Sequence, residues 1–402
     1  MAYPFTLDDV RFLASPAGRD ALAAADSLKL TEESLLSDLT KLRRTIYERS
    51  AAVAETIRLR RRAITKLGTT GGRWLFTDES LQQASPALVS AYRAARLAGL
   101  GVHDLTCSIG TDVAFLAAVC PMVVGSDLDP VRLLMARHNL GDAGLPARLV
   151  VADALTRSTR GLLGYADPAR RDRAGRRITS VSTVPTVAEL DAAHPHRPPV
   201  LRLPPGVDYD ELNRPGEVEI VSLDGVAREA VLWPAELATT GRRATVLVSA
   251  SDPVAGTGVP GYQLTSDDPD DTGVGSIGDW LVDPDPAVVR AHLVRHYATR
   301  HGLVLLDPHL AYLTGPRPPP GIRAFQVLDA APFRERTVAD WARRDGVGTL
   351  EIKQRGTPVI PDDLRARLRP ALRGPRSVAA TLVIARIGSQ PQAFWCRAVD
   401  PR

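Results

Sequence analysis

Cysteine is scarce in this 402-residue chain, with only Cys107, Cys120 and Cys396. Thiols so few and so scattered exclude a disulfide framework and a cysteine-based zinc site, and no metal is expected. Long apolar runs are missing too. No stretch approaches the roughly 20 residues that cross a bilayer, and Met1 to Thr6 leads into Leu-Asp-Asp rather than the core of a signal peptide. The expectation is a cytoplasmic protein without membrane contact. Aromatic residues make up 5% of the chain, so a core competes for each of them before a ligand does. Charge of one sign does not dominate: the net charge is +4 and the pI about 9.1. That is too modest to indicate nucleic acid by itself, so the distribution of charge matters more than its sum. The closely spaced G-x-G-x-x-G of dinucleotide-binding folds is absent as well.

What is present is an ordered series of four apolar runs, each ending on a glycine- or acid-bearing turn. Val102-His103-Asp104-Leu105-Thr106 enters Cys107-Ser108-Ile109-Gly110-Thr111-Asp112, and the helix-like segment Val113 to Val119 follows. Met122 to Ser126 ends on Asp127-Leu128-Asp129-Pro130 and passes into a helical stretch through Ala136 and Asn139. Ala147 to Val151 ends on Ala152-Asp153-Ala154, and Leu162 to Ala166 ends on Asp167-Pro168-Ala169-Arg170-Arg171. Strands alternating with helices imply a parallel sheet whose ligands sit beyond the carboxyl ends of the strands. Plainer roles stay open for several residues. Asp129 before Pro130 and Val131 fits a helix N-cap as well as a ligand. Asp104 and Asp112 fit caps or turns, Gly110 fits an ordinary strand-to-helix turn, and Cys107 fits a small packed residue because no local His activates it.

These turns resemble, in order, the cofactor-binding motifs of the class I S-adenosylmethionine-dependent methyltransferases. The resemblance implies an α/β fold with a Rossmann-like, seven-stranded, mostly parallel sheet and S-adenosylmethionine as cofactor. It implies that Ser108 and Gly110 let the backbone approach the methionine part of the cofactor and that Asp104 reaches its amino group. Asp127 would accept the ribose hydroxyls, with Asp129 as the nearby substitute, and Asp153 would line or bond the adenine edge. The family usually has glycine where Ser108 stands. Asp167-Pro168 matches the first two residues of an Asp/Asn-Pro-Pro-aromatic motif found in enzymes that methylate exocyclic amines of bases. The second proline and the aromatic are missing here. The match implies amine methylation, with Asp167 and Pro168 as catalytic residues that act mainly by positioning. Arg170 and Arg171 fit a phosphate contact or a solvated basic turn.

The similarity runs further along the chain. Arg60-Arg61-Arg62-Ala63, Trp74-Leu75-Phe76-Thr77, Leu81-Gln82-Gln83-Ala84-Ser85 and Leu201 to Asp208 carry it, as do Leu303 to Asp307, Ala311-Tyr312-Leu313 and Leu350-Glu351-Ile352-Lys353-Gln354-Arg355-Gly356. Together they look like a bacterial group of uncharacterised methyltransferases with a C-terminal THUMP-like domain. THUMP domains proper are RNA-binding modules of tRNA-modifying enzymes, so the resemblance implies RNA, tRNA or rRNA, as substrate, with Lys353 and Arg355 among its contacts. Phe76 is a candidate to stack on a target base, a contact worth about 1–3 kcal/mol; core packing is its competing role. A catalytically silent RNA-binding protein and a small-molecule methyltransferase are the alternatives. The sequence carries no signal of oligomeric state.

Three basic regions stand out: nine Lys or Arg from Lys41 to Lys66, the arginines after Asp167, and fourteen Lys or Arg against seven acids from Ala331 onward. On one face they would bind an RNA backbone; singly, each reads as a solvated helix face. Leu7, Val10, Leu13, Leu35, Leu39, Leu42, Ile46, Val53 and Ile57 are spaced for helices. The expected domains are 1–95, helical; 96–282, the methyltransferase sheet, with strands at 218–223, 230–232 and 243–249 and a hairpin around Gly225; and 283–402, a small α/β THUMP-like domain. The last is expected to hold a helix over 286–301, strands at 348–353 and 379–387, and a helix over 362–372.

Overall fold

Thr6 and Asp9 start the first helix by capping each other. The Thr6 side chain accepts from the Asp9 amide at 3.2 Å, and the Asp9 carboxylate accepts from the Thr6 amide at 2.9 Å. The computed structural model describes residues 3–169, 183–249 and 260–399. Six helices lead in: α1 (Leu7–Ala14), α2 (Pro16–Ala25), α3 (Leu35–Ile46), α4 (Ser50–Leu67), α5 (Asp78–Gln83) and α6 (Ala87–Ala95). The first basic region lies on α3 and α4, and much of it is structural. Arg60 donates to the Trp74 carbonyl, Arg61 to the carbonyls of Asp26, Leu28 and Lys29, and Lys66 to those of Leu81 and Gln82. Arg49 pairs with Asp9 and Arg62 with Asp78. These cations tie helices and loops together, which removes most of that region as a free RNA-binding face.

The first sheet contains β1 (Gly101–Asp104), β2 (Met122–Asp127), β3 (Arg148–Val151), β4 (Leu163–Ala166), β5 (Val200–Leu203), β6 (Gly216–Leu223), β7 (Val226–Pro234), β8 (Arg242–Leu247) and β9 (Pro260–Thr265). Helices α7 (Thr111–Ala117), α8 (Pro130–Asp142) and α9 (Val187–Ala193) connect its strands. The strand order is β3-β2-β1-β4-β5-β7-β6-β8-β9. The expected seven strands are therefore present, with two more added beyond β6. Strand β1 runs parallel to both neighbours, with Asp104 opposite Gly125 on β2 and opposite Tyr165 on β4. The chain leaves β1 in one direction towards β2 and β3, and later returns to its other side as β4. That reversal opens a crevice at the carboxyl ends of β1 and β4, where ligands of such sheets bind. The β6–β7 hairpin turns through Asp224 and Gly225, both with positive φ (51° and 73°), as a tight hairpin requires.

One hydrophobic core joins the N-terminal helices to this sheet, from Val10 and Leu13 through Ile57, Trp74 and Phe76 to Val102, Leu163 and Trp233. By compactness the chain divides into two units, residues 1–239 with 245–262, and residues 240–244 with 263–402.

The second unit holds a seven-stranded sheet of β10 (Trp280–Val282), β11 (Val304–Leu305), β12 (Leu313–Gly315), β13 (Ala324–Pro332), β14 (Thr349–Arg355), β15 (Ala379–Ile387) and β16 (Gln390–Val399). Their order is β11-β12-β10-β13-β16-β15-β14. Its helices are α10 (Pro286–Arg290), α11 (Val294–His301), α12 (Glu335–Arg344) and α13 (Pro361–Leu368). Leu382, Ile384, Ala393 and Trp395 face one core, which includes Val338 of α12 and Leu364 of α13; Val383, Ala385, Phe394 and Cys396 face another. This alternation covers both faces of the sheet. The helix expected over 286–301 is two helices, because His292 adopts φ 58° and breaks the run. Sequence reading also missed β13, β16 and α12, along with the strand character of β10 to β12. The last three are only two or three residues long, too short for periodicity to register.

Candidate active site

The loop after β1 is shaped by two left-handed residues. Ser108 has φ 49° and Gly110 φ 81°. A left-handed serine costs roughly 1–2 kcal/mol where glycine would cost almost nothing, which is the physical reason glycine is the common residue there. Ser108 is held in place because its amide donates to Asp127 Oδ2 at 2.9 Å. The other oxygen of Asp127 accepts from the Asp129 amide at 2.9 Å, so the carboxylate at the end of β2 is fixed from both sides. Cys107 is buried, and burial first, then Asp104 and Asp127, pushes its thiol pKa up. It is a packed residue, without the thiolate character a nucleophile needs.

Asp104, Ser108, Asp127, Asp153 and Asp167 line one cavity of about 230 Å³ at the carboxyl ends of the strands. Asp104 is 2% exposed and accepts from the Thr106 amide at 3.1 Å. Burial, then the neighbouring carboxylates Asp112, Asp167 and Asp127, hold its pKa well above the usual range. Among the described residues no Lys or Arg forms an ion pair with it. Asp153 sits exposed at the rim and accepts from the Leu155 amide at 2.9 Å. Thr111, the first residue of α7, also lines the cavity, and its buried hydroxyl has no hydrogen-bond partner among the described residues. Gly110 shapes the turn without lining the cavity. The carboxylate of Asp129 accepts from the Val131 amide at 2.8 Å as the N-cap of α8. Of the two roles open to Asp129 in the sequence, the structure gives it the cap, and it is not among the lining residues.

Behind the fourth turn lies a buried charge network that sequence reasoning missed. Asp167 donates its amide to Thr106 Oγ1 at 2.7 Å, and its carboxylate is ion-paired with Arg202 of β5. Arg202 also donates to the Gln83 carbonyl at 2.9 Å and approaches Glu229 at 3.2 Å. Glu229 takes both contacts of Arg93 Nη1, at 2.5 and 2.6 Å, while Arg93 Nη2 reaches Asp112 at 2.5 Å. The Tyr165 hydroxyl donates to Asp112 at 2.8 Å. Burial would raise the pKa of Asp112, but Arg93 and then Arg202 hold it below its usual range. Pro168 is buried beside Asp167. One signal of the network was available in the sequence, since Arg202 interrupts the apolar strand Val200–Leu203.

A protein of Mycobacterium tuberculosis (strain ATCC 25618 / H37Rv), named an uncharacterized S-adenosylmethionine-dependent methyltransferase, is 46% identical over 364 residues, covering 87% of this chain and 98% of its own length. A protein of strain CDC 1551 / Oshkosh bears the same name and matches equally. The chain belongs to the S-adenosylmethionine-dependent methyltransferases. Residues 322–398 of this methyltransferase match the THUMP domain-like family, and residues 6–63 a domain of unknown function (DUF8688). The fold is also that of a crystallised Porphyromonas gingivalis W83 protein assigned as a methyltransferase, 21% identical, with a TM-score of 0.72 over 99% of this chain and 100% of that one.

The methyltransferase cavity fits its cofactor chemically. A buried carboxylate with no cation and a hydroxyl with no partner among the described residues, together with a fixed second carboxylate, suit a ligand that brings an ammonium group and hydroxyl donors. The residues expected to touch substrate are placed differently. Phe76 is 1% exposed and belongs to the core, with its ring centroid 6.5 Å from that of Trp74. It lines no part of the cavity, which corrects the stacking role: a core with few aromatics has taken this one. Lys353 and Arg355 lie on β14 in the second unit, where both pair with Asp283, at 3.0 and 2.7 Å. Lys353 also sits over the Phe325 ring and Arg355 over that of Tyr312. Both cations are thus engaged within the second unit, one carboxylate serving two positive charges. Arg170 and Arg171 lie outside the described residues.

His103, next to Asp104, points to the opposite face of β1 and bonds Ser126 Oγ at 2.9 Å and Thr159 Oγ1 at 3.0 Å. Burial, then His194, lowers its pKa from the ordinary 6.5 to about 4. The unfolded chain therefore takes up a proton that the folded state rejects, and stability falls as pH drops from about 6.5 towards 4. Urea unfolding of wild type and His103→Gln across that window should show a smaller loss in the variant; equal slopes would refute this linkage.

Proposed function

We propose that this methyltransferase acts on a base nitrogen of RNA, tRNA or rRNA. In this reading Asp104 takes the amino group of the cofactor, Asp127 the ribose hydroxyls and Asp153 the adenine edge, while the loop held by Ser108 and Gly110 takes the methionine part. The observation that carries it is the Asp167 carboxylate, fixed at the cavity by Arg202 and by the Asp167 amide on Thr106. Bound S-adenosylmethionine supplies a methyl carbon on a sulfonium that departs as a neutral thioether. Asp167, positioned by Arg202, accepts an N–H of an exocyclic amine, which aims the nitrogen lone pair, and Pro168 stiffens the turn. After transfer the nitrogen sheds a proton to Asp167 or to water. The match of residues 322–398 to the THUMP domain-like family supports RNA as the acceptor.

Nucleoside mass spectrometry of RNA from cells with and without the gene tests the substrate, the expected result being one methylated nucleoside lost. With purified RNA, Asp167→Ala should lower kcat on the order of 10²-fold, the usual result of misplacing a reacting group, with little change in affinity for S-adenosylmethionine. Unchanged RNA nucleosides together with an unaffected Asp167→Ala rate would overturn the reading.

A further inference from the structure

A second cavity, of about 500 Å³, lies beside the first, and Gln83, Ala84 and Arg202 line both. The ion pair of Arg132 with Glu79, at 2.6 Å, completes the partition, with Arg132 lining the cofactor side and Glu79 the other. The chambers therefore meet at the residue that holds Asp167. Lys66, Arg202 and Arg228 line the second chamber; Arg202 is paired with Asp167 and Glu229 and Lys66 holds the Leu81 and Gln82 carbonyls, while Arg228 is exposed, and the lining carboxylate Glu79 is paired with Arg132.

The placement of Arg228 has a structural cause. The β6–β7 ladder shifts register between Val221 and Ser222, so that Glu229 stands opposite Val221 and Ala227 opposite Ser222, leaving Arg228 as the extra residue of a bulge. Bulges redirect side chains and are common beside active sites. Here the bulge sends Glu229 inward, fully buried on Arg93, and leaves Arg228 exposed at the second chamber. Among the described residues no aromatic side chain lines either chamber.

We propose that the acceptor enters through this second chamber and that the chamber takes a phosphate-bearing acceptor, with phosphate at Arg228 and the group to be methylated passing Arg202 to reach Asp167. The inference deepens the proposed function and rests on it. Recognition here is electrostatic and shape-based, by the Arg228 fork.

Two variants of the full chain test it: Arg228→Gln removes one cation from an exposed position, and Ala227→Trp fills the chamber. Calorimetric titration with S-adenosylmethionine serves as the folding control, since neither residue lines the cofactor cavity. Binding of a labelled mixed-sequence RNA oligonucleotide is then followed by anisotropy against salt, with S-adenosylhomocysteine present, and in competition with nucleoside 5′-monophosphates. Arg228→Gln should flatten the salt slope by about one, and Ala227→Trp should weaken binding at least about tenfold, each with cofactor affinity unchanged. Competition by monophosphates at concentrations matching the RNA nucleotides assigns a free nucleotide as the acceptor; competition by RNA alone assigns a nucleotide within a chain. Cofactor binding together with wild-type salt slope and affinity in both variants overturns the inference. Absence of cofactor binding in the wild type would instead sink the proposed cofactor assignments from which it starts.

Discussion

Asp104→Asn should bind S-adenosylmethionine roughly a hundredfold more weakly than wild type, while its unliganded form melts at a higher temperature at neutral and alkaline pH. Both effects come from one buried carboxyl. Asp104 is 2% exposed, faces three other carboxylates and has no cation paired with it among the described residues. Its folded-state pKa is raised, so the unliganded protein holds a proton that the unfolded chain releases. Stability is therefore lost as pH rises above the ordinary carboxylate range, and asparagine removes that loss. A ligand ammonium reverses the situation, because a charge-assisted bond to a buried carboxylate is worth about 3 kcal/mol at the upper end, or roughly a hundredfold in affinity. Asparagine keeps the shape and the bond from the Thr106 amide but cannot supply the charge. Binding to wild type should also release a proton, visible in calorimetry as an enthalpy that changes with the ionisation heat of the buffer. A variant that binds as wild type does, with no buffer dependence in either protein, would remove Asp104 from the cofactor's amino group.

The parts of this site that could be read in advance are local in sequence. The runs ending on Asp104, Asp127, Asp153 and Asp167 are each a strand plus a turn, and turn chemistry is set within a few residues. Their shared location follows from the order of parallel strands, which the alternating pattern already implied. Ambiguity remained where one local pattern serves two ends. Asp-Pro-Val suits both a ligand and a cap at Asp129, and only the position of the α8 amides decided for the cap. Phe76 failed for another reason, since no local feature distinguishes a core aromatic from one above a pocket. The Arg93–Glu229 contact joins residues 136 apart, and nothing near either residue announces the other. In the second unit, β16 fills two cores with alternate residues. Its sequence, Gln390-Pro391-Gln392 followed by an apolar run, lacks the polar alternation of a half-exposed strand.

Arg93→Met should destabilise the first unit by about 3–5 kcal/mol, the usual penalty for removing one member of a buried ion network, and lower its Tm by roughly 10 °C. Arg93 is 3% exposed and its guanidinium spans Glu229 and Asp112, with the Tyr165 ring 5.4 Å away. Methionine replaces the volume but leaves a buried Glu229 and a part-buried Asp112 without their shared cation. Arg202 still approaches Glu229 at 3.2 Å, so the loss falls most heavily on Asp112. Arg93→Lys should fall between, because a single ammonium does not match the planar fork that reaches both acids. The pH dependence identifies the cause. In wild type Arg93 keeps the Asp112 carboxyl below its usual pKa, so that stabilisation is present above about pH 4 and is lost as pH falls further. In Arg93→Met, protonating Asp112 relieves a cost instead, and the gap between the two proteins should narrow as the solution is acidified. Scanning calorimetry at neutral pH and near pH 4 measures both quantities. Since the same network holds Arg202 against Asp167, Arg93→Met should also lower kcat for methyl transfer more than it raises KM for S-adenosylmethionine. A variant that melts within about 1 °C of wild type at neutral pH would show that the network is not what fixes Asp167.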